Sequence, residues 1–363
     1  MLTRHDLAEL SRTHESDLVL SVYIARDGSD PGTRAGWRLR LNGALGAIRD
    51  GLEREAPADV PAFERAARLV TDNLDAFGRV LPHEGWAAFV TADRLVHSEV
   101  LAFAPPELVR WRQGIYAAPY IRTFKSERPM VLALMDRWNT RLFRYHGGQL
   151  ILESEILIDR PSVDASDVAA PSRVSSRSGT RGMTRTDYAN RMIDDESRRQ
   201  RKHVVEAILA MAADAGGVAL GGMPKTLSAV RKDLEEKLEG RIVEVPSVSL
   251  DSSDAEIAAA ADAAASELTR IRQARLLDAC REAPERGSAG WNRTYRALAA
   301  GAVDTLLVSR NLIESSPDDA ERLVRLSLAQ GAEVEEIGDE VGARLWAEAD
   351  GVAARLRFRM AVA

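Results

Sequence analysis

Arg128-Pro-Met-Val-Leu-Ala-Leu-Met-Asp136 opens the middle of this 363-residue chain with six apolar residues between a prolyl break and an acid. A short apolar run bounded by turn formers reads as a strand, Met130–Asp136. Thr140–Tyr145 and Leu150–Ile158 follow as two more strands, with Asp136-Arg-Trp-Asn139 and His146-Gly-Gly148 as the turns between them. Residues 159–186 are rich in Ser, Arg, Gly, Asp and Pro and nearly lack large apolar side chains. Such a composition cannot bury a core, which predicts a long exposed loop. A helix over 186–213, a strand Val218–Gly221, a helix Thr226–Leu238 stopped by Gly240 and a strand Ile242–Val245 complete this part.

On the amino-terminal side, Leu18–Ile24 reads as a short buried strand. Residues 33–54 and 61–77 have helical spacing, with Trp37, Leu41, Leu45, Ile48 and Leu52 recurring at three or four. Trp86–Val90 and Leu95–Leu101 read as a hairpin around Ala92-Asp93, and Pro105-Pro106 breaks the pattern. On the carboxyl-terminal side, 254–284 is a long Ala-rich helical stretch, a natural connector. Beyond it come helix 291–300, strand Thr305–Val308, helix 318–330, strand Glu333–Ile337, helix 340–348 and strand Val352–Phe358. Alternation at this spacing predicts an α-β-α sandwich. The expected class is α/β in three domains. They are a divergent α/β domain at 1–124, a mixed-sheet domain at 125–253 and an α-β-α domain at 291–363, with 254–290 as a helical connector.

Composition narrows the function classes. Apolar residues make up 45% and charged residues 29%, so the chain is not broadly disordered. One cysteine, Cys280, excludes a disulfide framework and a thiolate metal cluster, and fits a reducing cytosol. No apolar run approaches the roughly 18 residues of a membrane span, and the start lacks an apolar signal core. The expectation is a cytoplasmic protein with no membrane partner. None of the six histidines lies at helical ligand spacing to another, so no metal or other cofactor is expected. Nucleophile elbows, phosphate-cradling loops and His-Glu-x-x-His are missing. Gly216-Gly217 and Gly221-Gly222 flank a strand without the dinucleotide spacing, which predicts strand termination or close backbone approach.

Charge is concentrated in one place. Residues 173–203 hold nine basic against four acidic side chains, a net +5 in a chain of −6, which leaves −11 for the rest. An Arg-rich loop running into a basic helix supplies the guanidinium forks that a phosphate backbone requires. The candidate RNA contacts are Arg173, Arg177, Arg181 and Arg185, with Arg198, Arg199 and Lys202 from the helix. A solvated loop and a helix laced by pairs such as Asp195–Arg199 would have the same composition. Gly147-Gly148-Gln149 is a Gly-Gly-Gln tripeptide, but its flanks, Leu142–Tyr145 and Leu150–Leu152, place it in a tight hairpin.

The order of these features resembles the class-1 release factor and Pelota superfamily, and in particular its bacterial archaeo-eukaryotic release factor-like group. Arg128–Asp136, Thr140–Tyr145, the polar loop, the basic helix and Gly217–Gly222 are similar to that family's middle domain. Tyr295-Arg-Ala-Leu-Ala-Ala-Gly-Ala-Val-Asp-Thr-Leu-Leu-Val-Ser309 and Asp350–Phe358 resemble its third domain, of the ribosomal-protein type that binds RNA. In the family the hydrolytic Gly-Gly-Gln tip lies in the long loop. Here the corresponding place reads Ser178-Gly-Thr-Arg-Gly-Met-Thr184, so Gly179, Gly182 and Met183 are the tip candidates. Met183 has no amide to position a water. Gln149 lies on the wrong side of the second and third strands. The Asn-Ile-Lys-Ser codon-reading motif is absent from 1–124.

The resemblance implies a factor that occupies the ribosomal A site for hibernation or rescue without hydrolysis. It would meet rRNA and P-site tRNA through the middle domain and a translational GTPase through the third. Two other readings stay open. One is a peptidyl-tRNA ester hydrolase with an atypical tip; the other is a non-ribosomal RNA-binding adaptor.

Overall fold

The computed structural model describes residues 2–26, 36–78, 80–81, 83–102, 104–125, 128–157 and 185–360, except the side chains of Thr123, Lys125 and 185–197. The expected loop, the tip candidates Gly179, Gly182 and Met183, and Arg173, Arg177 and Arg181 lie outside the described residues. The chain forms two compact units: Met1–Glu127 with Gln273–Ala363, and Arg128–Arg272.

The first unit begins with α1 (Arg4–Thr13), which starts on a capping box formed by Thr3 and Asp6. Then come β1 (Leu18–Ala25), α2 (Gly36–Glu55), α3 (Val60–Asp75), β2 (Gly85–Val90), β3 (Leu95–Leu101), β4 (Leu108–Gln113) and a 3-10 helix at Ala118–Lys125. The four strands form an antiparallel sheet in the order β3-β2-β1-β4. Leu20, Val22 and Ile24 of β1 pack with Trp37, Leu41, Phe63 and Val70 of α2 and α3. Val19 and Tyr23, on the other face, join a second cluster. Burial on both faces is why β1 reads as a continuous apolar run rather than an alternating one.

The second unit holds β5 (Met130–Met135), β6 (Asn139–His146), β7 (Gln149–Leu157), α4 (Arg185–Ala212), β8 (Gly217–Gly222), α5 (Pro224–Glu235), β9 (Ile242–Glu244) and most of α6 (Asp254–Glu282). Its mixed sheet has the order β7-β6-β5-β8-β9, with β5, β8 and β9 parallel. Val131, Ala133 and Met135 point to α4 and α5, where Val204, Ile208, Leu227 and Val230 cover them. Met130, Leu132 and Leu134 point the other way, onto Ile257, Ala261, Ala264 and Leu268 of α6. The sheet is thus buried between two helical layers.

The chain then returns to the first unit through the end of α6, β10 (Gly287–Ala289), α7 (Trp291–Ala299), β11 (Val303–Ser309), α8 (Arg310–Ser315), α9 (Pro317–Ala329), β12 (Glu333–Ile337), α10 (Asp339–Ala349) and β13 (Val352–Leu356). The sheet order is β10-β13-β11-β12, with β11 and β12 parallel. Leu306 and Val308 face α7 and α9, and Leu307 faces α10, which makes the expected α-β-α sandwich.

The grouping differs from the division read in the sequence at 1–124, 125–253, 254–290 and 291–363. Residues of the first and last parts share one apolar cluster, in which Tyr23, Phe89 and Ile121 meet Leu298, Leu323 and Val324. The helical stretch 254–290 is more than a connector, because its first half is the second helical layer of the mixed sheet. Five of the elements named above appear where the sequence reading placed none: α1, β4, the 3-10 helix at Ala118–Lys125, β10 and α8.

Candidate functional site

The basic face of α4 is built from its middle turns. Arg198, Arg199 and Lys202 are exposed, and Val204, Val205 and Ile208 turn inward one helical face away. That division follows from the helical period, which separates the basic residues from the apolar anchors. Lys202 lies 3.9 Å from Glu206, a solvent-exposed pair that leaves the ammonium available to other partners. Arg201 is turned partly inward, where its Nε donates to Asp233 of α5 at 2.8 Å. Arg185 is the first residue of α4 and its side chain lies outside the described residues, as does that of Asp195.

Gln149 stands apart from this face. Gly147 and Gly148 have φ of 59° and 81° and link β6 to β7, pairing His146 with Gln149. Two consecutive residues at positive φ are what a type I′ hairpin turn requires. The Gly-Gly-Gln tripeptide is thus a tight hairpin turn, as its flanks predicted. Beneath it, Tyr145 donates to Asp262, and burial followed by that hydrogen bond pushes the phenol well above its ordinary value.

Beside the basic face is a cavity of about 440 Å³. It is lined by the β5–β6 turn (Met135, Asp136, Arg137 and Thr140), by Gln200, Arg201 and Val204 of α4, and by the start of α5 with Met223 before it. The close approach of two strands builds this end of the sheet. Gly222 has φ 126°, and a β-carbon there would lie 1.8 Å from the Met135 carbonyl oxygen. Only glycine fits at 222, which accounts for the second member of the Gly221-Gly222 pair. Asp136 is spent on its own turn: Oδ1 accepts from the Trp138 and Asn139 amides at 2.5 and 2.7 Å. Arg137 lies over the Trp138 ring, 4.9 Å from its centroid. Among the described residues neither Arg137 nor Lys225 forms an ion pair.

The sequence reading missed this cavity. It treated 136–139 only as a turn and gave Lys225 no role. The one signal it held was the glycine pair Gly221-Gly222, which marks the strand end where α5 begins.

No helix among the described residues is long and apolar enough to cross a membrane. Among them no group of three or more His, Cys, Asp or Glu side chains could hold a metal ion. Cys280 is buried on α6, and burial pushes its thiol up to about 12, so it is a core residue rather than a nucleophile.

With this geometry in hand, residues 116–266 match the family described as Bacterial archaeo-eukaryotic release factor family 10. The match spans nearly all of the second unit, so this chain carries a release factor-like segment there, as the resemblance in its sequence implied. No curated protein matches the chain. Among solved structures it is similar to Pelota of Archaeoglobus fulgidus, with 16% identity over 76% of this chain and 79% of that one and a TM-score of 0.38. It is also similar to Dom34 of S. cerevisiae, described as a translation termination-like factor, with 11% identity over 73% and 74% and a TM-score of 0.42. A third similarity is to an archaeal Pelota described as ribosome-bound, with 16% identity over 76% and 78% and a TM-score of 0.41.

Proposed function

We propose that this chain is a translation factor that binds the ribosome and occupies its A site, for hibernation or rescue, without hydrolysing peptidyl-tRNA. The observation that carries this reading is the release factor-like match over 116–266, coinciding with the exposed cations Arg198, Arg199 and Lys202 on α4. A charged helix face of this kind suits rRNA or tRNA phosphates. The continuation of that charge through Arg173, Arg177, Arg181 and Arg185 would extend the contact toward the peptidyl-transferase centre.

Two residues argue against hydrolysis. Gln149 is the first residue of β7, paired with His146 across the two-residue turn Gly147-Gly148, and Met183 stands where the tip of the long loop would carry Gln. A translational GTPase docking on the carboxyl-terminal sandwich, and a cytoplasmic location, belong to the same reading.

Reversing Arg198, Arg199 and Lys202 to Glu tests it by co-sedimentation with ribosomes at increasing salt. Wild type is expected to co-sediment with steep salt dependence, and the triple variant to lose most of that binding. Equal binding by the two proteins would remove α4 from the interface. Release of labelled peptide from stalled ribosomes by the wild-type protein would replace this reading with the hydrolase one.

A further inference from the structure

We propose that the cavity at the carboxyl ends of β5 and β8 is a binding site for a phosphate monoester of about mononucleotide size. Thr140 carries the argument. It is 3% exposed and is the one polar residue buried as a whole among the described residues of the second unit. Its hydroxyl forms no hydrogen bond within the described residues, and it lines the cavity. The side chain is buried on its other sides, so the acceptor or donor that its hydroxyl can meet is one that enters the cavity.

The surrounding chemistry specifies that acceptor as an anion. Arg137, Arg201 and Lys225 line the same space, against one carboxylate, Asp136, which is engaged by its own turn. The cavity runs along the first two turns of α5, a 12-residue helix. Its N-cap, Met223, gives no side-chain hydrogen bond, so the positive end of the helix is uncapped. Asp233 holds Arg201 in position. The volume exceeds the needs of inorganic phosphate and falls within the range of small-molecule sites. Met135, Met223, Val204, Ala229 and Val230 supply an apolar wall for the organic part of the ligand.

The site is independent of ribosome binding and is tested without ribosomes. The full chain is titrated calorimetrically with AMP, with adenosine, and with an RNA trinucleotide bearing a 5′-phosphate or a 5′-hydroxyl. The phosphorylated probe is expected to bind at least about tenfold tighter than its phosphate-free counterpart. Lys225→Ala and Arg137→Ala, both at exposed positions, are expected to weaken it several-fold. Thr140→Val separates ligand binding from structure: it should weaken the phosphorylated probe while leaving the thermal midpoint of the empty protein nearly unchanged. AMP binding assigns the phosphate to a free nucleotide, and binding of the phosphorylated trinucleotide alone assigns it to an RNA end. The proposal fails if neither phosphorylated probe binds, if adenosine binds as well as AMP, or if Lys225→Ala leaves the affinity unchanged.

Discussion

In the unit made of Met1–Glu127 and Gln273–Ala363, three glutamates are buried: Glu321, Glu335 and Glu336. Each meets a group from the amino-terminal part. Glu321 accepts the Ala118 amide at 2.8 Å, Glu335 lies 3.9 Å from Arg4, and Glu336 accepts from Arg122 Nε at 2.9 Å. In Arg128–Arg272 the described residues include no buried charged residue, and Thr140 is the one polar residue among them that is buried as a whole. The first unit therefore uses interior polarity to join two stretches of chain far apart in sequence. The second keeps its charge on the surface and admits one hydroxyl where a ligand can reach it. Buried polarity has a structural meaning in one unit and a binding meaning in the other.

The largest test of that contrast is Glu336→Ala. Glu336 is 0% exposed and also accepts from Arg310 Nε at 3.2 Å, so its loss leaves two partly buried guanidiniums without their shared carboxylate. Urea denaturation should show a loss of about 3–5 kcal/mol. A loss below about 1 kcal/mol would mean that the ion pairs do not hold the parts of this unit together.

Next comes pH. Burial pushes the Glu321 carboxyl up to about 8 from an ordinary 4.5, against the opposing pull of the Ala118 and Ala117 amides. The folded state then holds a proton that the unfolded state releases near pH 4.5. Stability from this group is full below about pH 4.5, falls as pH rises to about 8, and is flat above that. Glu321→Gln keeps an acceptor for Ala118 and removes the titration. The variant should lose much of the slope over this window and gain up to about 3 kcal/mol relative to wild type at its upper end. Parallel pH–stability curves for the two proteins would count against the assignment.

The smallest effect is expected in the second unit. Thr140→Val removes, at nearly constant shape, a hydroxyl that faces the cavity and has no partner among the described residues, and should change the stability of the empty protein by less than about 0.5 kcal/mol in chemical denaturation. Destabilisation by more than about 1 kcal/mol would make Thr140 a structural group after all, and the contrast between the units would disappear.

Much of this architecture was legible in the sequence because its signals are local. The apolar run 130–135, the helical spacing of Trp37, Leu41 and Leu45, and the stop at Gly240 each mark their elements. The turn at Gly147-Gly148 was legible for the same reason. β4 was missed because Pro105-Pro106 precedes it and its Leu108-Val-Arg-Trp-Arg-Gln113 mixes apolar and basic residues, as a half-exposed edge strand does. The shared cluster of the first and last parts was not legible, since nothing local in Phe89 or Val324 says that they meet. The cavity was hidden for a related reason. Thr140, Arg201 and Lys225 come from three elements and become a site only when the parallel strands bring their ends together.

The shared cluster also has a consequence for synthesis. Tyr23, Phe89, Ala117 and Ile121 leave the ribosome early, but the residues that cover them, from Ala297 to Leu356, follow up to about 230 residues after the 3-10 helix. At roughly 5–20 residues per second that is on the order of 10–45 s with an apolar face uncovered. The second unit, whose residues are contiguous, can close within that interval. A chain halted before Trp291 would release its amino-terminal sheet with that face still open, a substrate for chaperones and proteases rather than a working fragment.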